Sequence, residues 1–387
     1  MNPVSRLFRI ARVLFVPWFG VSAWAGSMVL TSPIDYQVAQ RNSVEGGSVP
    51  VTGTLAEGVP GDGILEVRVT RGGIAGSDGD GWRALPFEKS GNAFKAGLRL
   101  PSGGWYRLEI RIRAGNVEAG GAVVEHLGMG EVFVVAGQSN SANHGEEKQR
   151  TSTGLASTFD GARWRPADDP QPGASGGGGS FLPPFGDAMA ERLGVPIGFL
   201  ACGIGATSVR EWLPAGATFP NPPTIERRVR ALPDGQWESL GEAYSGFLVR
   251  LRQPGVRGFR AVLWHQGESD ANQRDSSRTL SGALYRASLE RVIRDSRAAV
   301  GWEVPWFVAQ VSYHVPGDEA SADIRAAQAS LWKDGIALEG PDSDALTGLL
   351  RERGGQGVHF SGPGLREHAA RWVDKVAPWL EGRLRVP

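Results

Sequence analysis

Ser139, His359 and a set of short polar turns that follow apolar runs are the residues of this chain whose types and spacing suit acyl transfer. Ser139 follows the apolar, β-branched run 131–136 by way of Gly137 and Gln138, with Asn140 and Ser141 behind it. A small residue before a serine at the carboxyl end of a buried strand lets the chain turn sharply. The hydroxyl is left exposed, and the N–H groups behind it are free to hold an anion. Ser141 stands where a Gly-x-Ser-x-Gly elbow would carry its second glycine, so that motif is not matched. Taken alone, the serine also reads as a polar strand-to-helix cap. A serine nucleophile needs a base that takes its proton and returns it to the leaving alcohol. Among six histidines, His359 is the best placed, in a glycine-flanked loop just before a capped helix. His144, five residues beyond Ser139, is expected to line the pocket. His368 falls on the apolar stripe of the last helix, His126 in a connection, His314 in a loop after a strand, and His265 beside Trp264. The tetrahedral intermediate carries a negative oxygen that needs preorganised donors. The N–H of Ser139, the N–H of Gly205 and the side-chain amide of Gln266 are the candidates. Plain turn geometry is the competing reading for Gly205.

The elements that must position these groups change character along the chain. Residues 28–128 look all-β: 64–70 and 105–113 alternate apolar and charged residues, as strands with one face in water do. Glycine-rich turns at 58–63 and 76–81 separate them. About 100 residues of this kind suit a small antiparallel sandwich of immunoglobulin-like size. Asp78 and Asp80 sit in one of the turns without the ligand spacing of a calcium loop. From residue 129 to 387, buried strands (131–136, 195–202, 259–264, 306–311, and a short edge strand at 336–338) alternate with helices. The helical stripes are Phe185, Met189 and Leu193; Tyr285, Leu289, Val292 and Ile293; Ile324, Ala327 and Leu331; and Leu365, Ala369, Trp372, Val376 and Trp379. Ser361 caps the last of these. Alternation of this kind implies a parallel sheet with helices on both faces. Ligands then bind beyond the carboxyl ends of the strands. Four polar, glycine-bearing turns fall there: 137–140, 203–207, 265–270 and 356–361. The stretch 166–180 has the composition of a flexible linker, but layered elements resume at once, so it reads as a loop over the catalytic face.

Gly137-Gln-Ser-Asn140, Gly205-Ala-Thr-Ser-Val-Arg-Glu-Trp212, Trp264-His-Gln-Gly-Glu-Ser-Asp270 and His359-Phe-Ser361 together resemble the four blocks of the sialic-acid-specific acetylesterases, carbohydrate esterases of the SGNH-hydrolase group. The resemblance covers roughly 130–380. It implies a three-layer αβα, flavodoxin-like domain without a metal or other cofactor. It also implies Ser139 as nucleophile, His359 as base, and Gly205 with Gln266 in the oxyanion hole. Two positions depart from the family pattern. Ala206 replaces a usual glycine, and Gln356 stands three residues before the histidine, where the family commonly has its acid. Glutamine orients an imidazole but does not stabilise imidazolium as a carboxylate does. Glu268 is the first candidate for the acid, with Asp270, Asp342 and Asp344 behind it. A carboxylate bracing its own loop is the competing reading for Glu268. Asn140, His144, Arg210 and Trp212 are candidates for holding the sugar. For Arg210 a salt bridge, and for Trp212 core packing, are the competing readings.

Composition narrows the partners. Lys plus Arg (41) equals Asp plus Glu (41) in 387 residues, which argues against a nucleic-acid binder. The single cysteine, Cys202, lies in an apolar run and reads as a small buried hydrophobe. Arg6, Arg9 and Arg12 precede the apolar stretch 13–25, which closes on Ala23-Trp24-Ala25. This is the pattern of a signal peptide spanning residues 1–25, so the mature chain is expected to be secreted or periplasmic and to have no membrane span. The expected activity is removal of O-acetyl groups from a carbohydrate (sialate or a plant or algal polysaccharide) through an acyl-serine. Two other readings stay open: a non-catalytic glycan-binding protein on a degenerate esterase scaffold, and an esterase or thioesterase for small non-sugar substrates.

Overall fold

The computed structural model describes residues 28–57, 63–71, 74–75 and 81–384. The expected signal peptide and the turn at Asp78 and Asp80 lie outside them. The apolar run before Ser139 is the second half of a long strand, β1 (Val117–Gly137), and every residue from Leu127 to Gly137 is buried. Such a run belongs between two parallel neighbours. It pairs in parallel with β3 (Ile197–Ala201) on one side and β4 (Ala261–His265) on the other. β2 (Ala156–Phe159) continues the sheet beyond β3, and β5 (Trp306–Gln310) and β6 (Leu338–Asp342) continue it beyond β4. All these pairs are parallel, and the order is β2-β3-β1-β4-β5-β6. A short antiparallel strand, Trp164–Pro166, edges β2.

Alternate residues of β1 feed two cores. Phe133 and Val135 pack with Phe185 and Met189 of α1 (Leu182–Leu193) and with Leu365 and Trp372 of the C-terminal helix. Val132, Val134 and Ala136 pack on the other face with Phe247 of α2 (Glu242–Arg252), Leu289 and Ile293 of α3 (Gly282–Val300), and Ile324 and Leu331 of α4 (Ala322–Lys333). The C-terminal helix is α5 (Gly362–Leu384). Ser361 Oγ accepts the Gly364 N–H at 3.2 Å, the N-cap bond its position suggests. The edge strand expected at 336–338 begins instead at Leu338.

The first half of β1 belongs to a second pair of sheets. It runs antiparallel to Gly103–Ala114, which pairs with Ile64–Arg71. The facing sheet pairs Gly46–Leu55 with Met28–Ser32 and with Ala93–Pro101, and the latter with Phe87–Ser90. Val49, Val51 and Leu98 from one sheet meet Val67, Leu108 and Ile110 from the other. β1 therefore passes from this unit into the parallel sheet unbroken, and the expected boundary at 128–129 falls inside a single strand. Just past it, the fully buried Glu131 binds Arg41 Nε at 2.7 Å and Arg260 Nε at 2.6 Å.

Candidate active site

Ser139 opens a single 3-10 turn, Ser139–Ser141, directly after β1. Gly137 is required there: its φ is +128°, and a Cβ would stand 2.1 Å from the His265 carbonyl oxygen. The turn brings the serine to the carboxyl edge of the sheet, as the apolar run predicts. Asn140 then ties this turn to the histidine loop, its Nδ2 donating to Val358 O at 3.2 Å and to Glu268 Oε1 at 3.0 Å. His359 follows Val358, so the serine turn and the histidine loop are direct neighbours.

The carboxylate on His359 is Glu352. Its Oε1 lies 3.0 Å from His359 Nδ1, and it also accepts the His359 N–H at 3.3 Å. The backbones close the same loop, Glu352 N donating to His359 O at 2.9 Å and Gly357 N to Glu352 O at 3.1 Å. Between them the chain doubles back through Arg353, Gly354 and Gly355, all with positive φ. A Cβ on Gly357 would lie 2.1 Å from Glu352 Cγ, so the carboxylate occupies the space that a side chain there would take. With Nδ1 held by a carboxylate, the imidazole keeps its proton on that nitrogen and leaves Nε2 as the acceptor. Burial holds His359 below the usual histidine range, and Glu352 acts in the opposite sense.

Glu268 is therefore not the acid on this histidine. It is buried with Oε1 on Asn140, and burial pushes its carboxyl up to about 7. The fallback carboxylates are committed elsewhere. Asp342 and Asp344 both pair with Arg325, and Asp270 accepts from Ser208 Oγ, Val209 N and Gln266 Nε2. Sequence spacing tests Gln356, yet Glu352 is the one acidic residue between Asp344 and His359. A carboxylate sharing a glycine-rich loop with the histidine is the signal that identifies it.

The remaining candidates divide. His144 lies at the site, its ring stacked on that of His359 with centroids 5.4 Å apart. Gly205 is beside it, but its N–H donates to Ser175 Oγ at 2.7 Å. Three others are corrected by burial. Gln266 is fully buried, its amide donating to Asp270 Oδ2 at 2.7 Å and Thr207 O at 3.2 Å, so it braces two turns instead of facing an oxyanion. Arg210 is fully buried on Asp270, Ser208 Oγ and the carbonyls of Asn221, Pro222 and Arg278. Trp212 is fully buried, with Nε1 on Thr207 Oγ1 at 2.9 Å and its ring against Trp264. Neither of the last two is presented to a sugar.

The other histidines have structural partners. His265 bonds Ser343 Oγ, His368 accepts from Trp372 Nε1, His126 pairs with Asp35, and His314 lies between Asp318 and the Glu268 carbonyl. The linker-like stretch is pinned over the site. Asn143 N donates to Ser175 O, Gly178 N to Asn143 O, and Gly145 and Gly179 exchange both N–H···O bonds. Cys202 is buried, its thiol pushed up to about 12. Among the described residues no group of three or more His, Cys, Asp or Glu side chains is arranged to hold a metal, and no helix is long and apolar enough to cross a membrane.

A serine, a histidine and a carboxylate gathered where parallel strands end are the equipment of an ester hydrolase. The model of the carbohydrate esterase, sialic acid-specific acetylesterase family matches residues 129–376, more than half of the chain, and the chain belongs to that family. It is thus of a carbohydrate acetylesterase family. Among solved structures, a carbohydrate acetylesterase from Xanthomonas citri shares the fold, with TM-score 0.55 and 18% identity over 92% of this chain and 76% of that one. A protein from Arabidopsis thaliana (TM-score 0.44, 18% identity, 65% of this chain and 98% of that one) is a weaker likeness. So is a family two carbohydrate esterase from Clostridium thermocellum (TM-score 0.38, 12% identity, 92% and 99%). Comparison with curated proteins gives no match.

Proposed function

We propose that the protein is an exported O-acetylesterase that deacetylates a carbohydrate through an acyl-serine. The observation that carries this reading is the 3.0 Å Glu352–His359 Nδ1 contact in a loop joined to the Ser139 turn through Asn140. Ser139 Oγ attacks the acetyl carbonyl while His359 Nε2 takes its proton. The same nitrogen then protonates the leaving sugar hydroxyl. Glu352 keeps the ring in the right tautomer and stabilises the imidazolium while it lasts. Water, deprotonated by His359, releases acetate and restores the serine. The N–H groups at the start of the 139–141 turn are unclaimed by the helix ladder and suit the oxyanion.

The strand order supports reading residues 129–387 as a flavodoxin-like SGNH domain, and the two facing sheets support an immunoglobulin-sized sandwich before it. Cleavage after Ala25 would deliver the mature chain outside the cytoplasm, and intact mass of the exported protein checks it. The degenerate-scaffold reading draws on the missing acid at Gln356, and Glu352 removes that reason. The test is acetate release from acetylated sialic acid, xylan and xyloglucan, beside short aryl esters and thioesters. Wild type should release acetate from at least one sugar and Ser139→Ala from none. Activity confined to aryl esters or thioesters would move the protein to the small-substrate reading. Glycan binding without turnover would make it a binding protein.

A further inference from the structure

We infer that His144 is a positioning residue for the histidine base: its ring, seated by Gly205 and Ser175, is the wall against which His359 is held. The inference rests on reading Ser139 and His359 as nucleophile and base. The two rings are stacked at an offset, with centroids 5.4 Å apart and 29° between their planes. His144 Nε2 lies 3.0 Å from Ser175 Oγ, and the same hydroxyl accepts the Gly205 N–H at 2.7 Å. A Cβ on Gly205 would stand 2.7 Å from His144 Nε2 and 2.9 Å from Cε1. The missing side chain at 205 thus makes room for the imidazole. Ser175 is itself fixed by backbone, accepting from Asn143 N and donating to Gly203 O, both at 2.9 Å. Three segments converge on one ring: the turn after β1, the glycine-rich loop and the turn after β3.

His359 needs such a wall. Its Nδ1 bond to Glu352 anchors one corner of the ring, and a ring held at one corner can still swing Nε2 away from the nucleophile. A planar neighbour across its face removes that freedom, and misplacement of a reacting group by about 1 Å costs on the order of 100-fold in rate. His144 also supplies part of the cover that keeps His359 from water. The charged groups acting on His359 are Glu352, Arg351 and Arg353 from its own loop, while from the facing turn it meets His144.

The test measures kcat, KM and the pH profile of acetate release for wild type, Ser139→Ala, His144→Ala, His144→Phe, Gly205→Ala and the Gly205→Ala/His144→Ala pair. Activity that survives Ser139→Ala sinks the nucleophile assignment, whatever His144 does. With serine-dependent activity in hand, His144→Ala should lower kcat about 10- to 100-fold at little change in KM. Its acid limb should rise toward the ordinary imidazole value of about 6.5 as His359 loses cover. His144→Phe keeps the ring face and should stay within about threefold of wild type. Gly205→Ala should match His144→Ala, and the double variant should be no worse than His144→Ala, since the new methyl then has space. The proposal is overturned if His144→Phe is as damaged as His144→Ala, if the double-variant losses add, or if KM rises at unchanged kcat, as for a substrate contact. Should Gly205→Ala not fold, the alanine–phenylalanine contrast at 144 decides alone.

Discussion

Two carboxyl groups of the site, the half-buried Glu352 and the buried Glu268, do different work, and single substitutions separate them. Glu352 sits on His359 Nδ1 and acts to raise the imidazole against the lowering effect of burial. Glu352→Gln keeps a hydrogen-bonding shape but loses the charge, so kcat should fall by about 10²- to 10⁴-fold. The acid limb of the surviving activity should move further down, because only the lowering influences on His359 remain. Glu268→Gln should cost less than about tenfold, since its Oε1 only holds Asn140 at 3.0 Å. Its signature is in stability. A glutamate held up to about 7 in the fold, against about 4.3 when unfolded, favours the fold below the lower value and loses that contribution as pH rises through the upper one. The urea midpoint of Glu268→Gln, minus that of wild type, should grow across that window and level off above it. No growth would mean that the carboxyl ionises in the fold as easily as in water. Ser139 and His359 are legible in the sequence because each stands in a turn next to a recognisable element. Glu352 is fainter: its signal is the glycine-rich loop it shares with His359, and the seven-residue separation closes only when Arg353, Gly354 and Gly355 take left-handed backbone.

Among the elements, turns carry the site and the sheet merely presents them. Gly357 shows how tightly one turn is built. Its substitution by alanine puts a methyl 2.1 Å from Glu352 Cγ, against a side chain fixed by its bond to His359. Gly357→Ala should therefore reproduce the kinetic defect of Glu352→Gln, including the downward acid limb, with the protein still folded by circular dichroism. Near-normal kcat would show that the carboxylate can rearrange. Ala206 gives the opposite case, an exposed non-glycine residue at φ +58°, a backbone conformation that favours glycine. The left-handed conformation costs alanine about 1–2 kcal/mol, partly offset by the greater unfolded-state entropy of glycine. Ala206→Gly should thus stabilise by up to about 1 kcal/mol in urea denaturation. The central strands are legible because unbroken apolar runs suit only the middle of a parallel sheet. Helices α3, α4 and α5 are legible from their stripes. α2 escapes notice because it opens on Gly241 in a left-handed conformation, with no polar cap to announce it. The 166–180 stretch has linker composition, yet its backbone bonds to residues 143–145 and 203 fasten it to the site.

At the scale of the whole molecule, the two layered units share one continuous strand, and beside it lie the strand Gln37–Gln40, a Trp105 Nε1 bond to Gly154 O at 2.9 Å and a buried ionic cluster. β1 leaves the facing sheets and enters the parallel sheet as one continuous strand, and the strand Gln37–Gln40 runs parallel to it at the crossing. There Glu131, fully buried, gathers Arg41 from the first unit, Arg260 from the approach to β4, and Gln40 Nε2 at 2.8 Å. Arg41 is itself only 4% exposed. Removing the carboxylate leaves a buried guanidinium without its counter-charge, which costs about 3–5 kcal/mol. Glu131→Ala should lose about that much in urea denaturation, even though the site at the far end of the strand is untouched. The shared strand adds a stronger expectation. Neither unit can unfold without uncovering one half of β1, so tryptophan fluorescence and far-ultraviolet circular dichroism should follow one coincident transition. If Glu131→Ala instead splits that transition in two, the ionic cluster supplies the cooperativity. If it lowers a single midpoint, the continuous strand and the contacts beside it keep the two units folding as one without the ionic cluster.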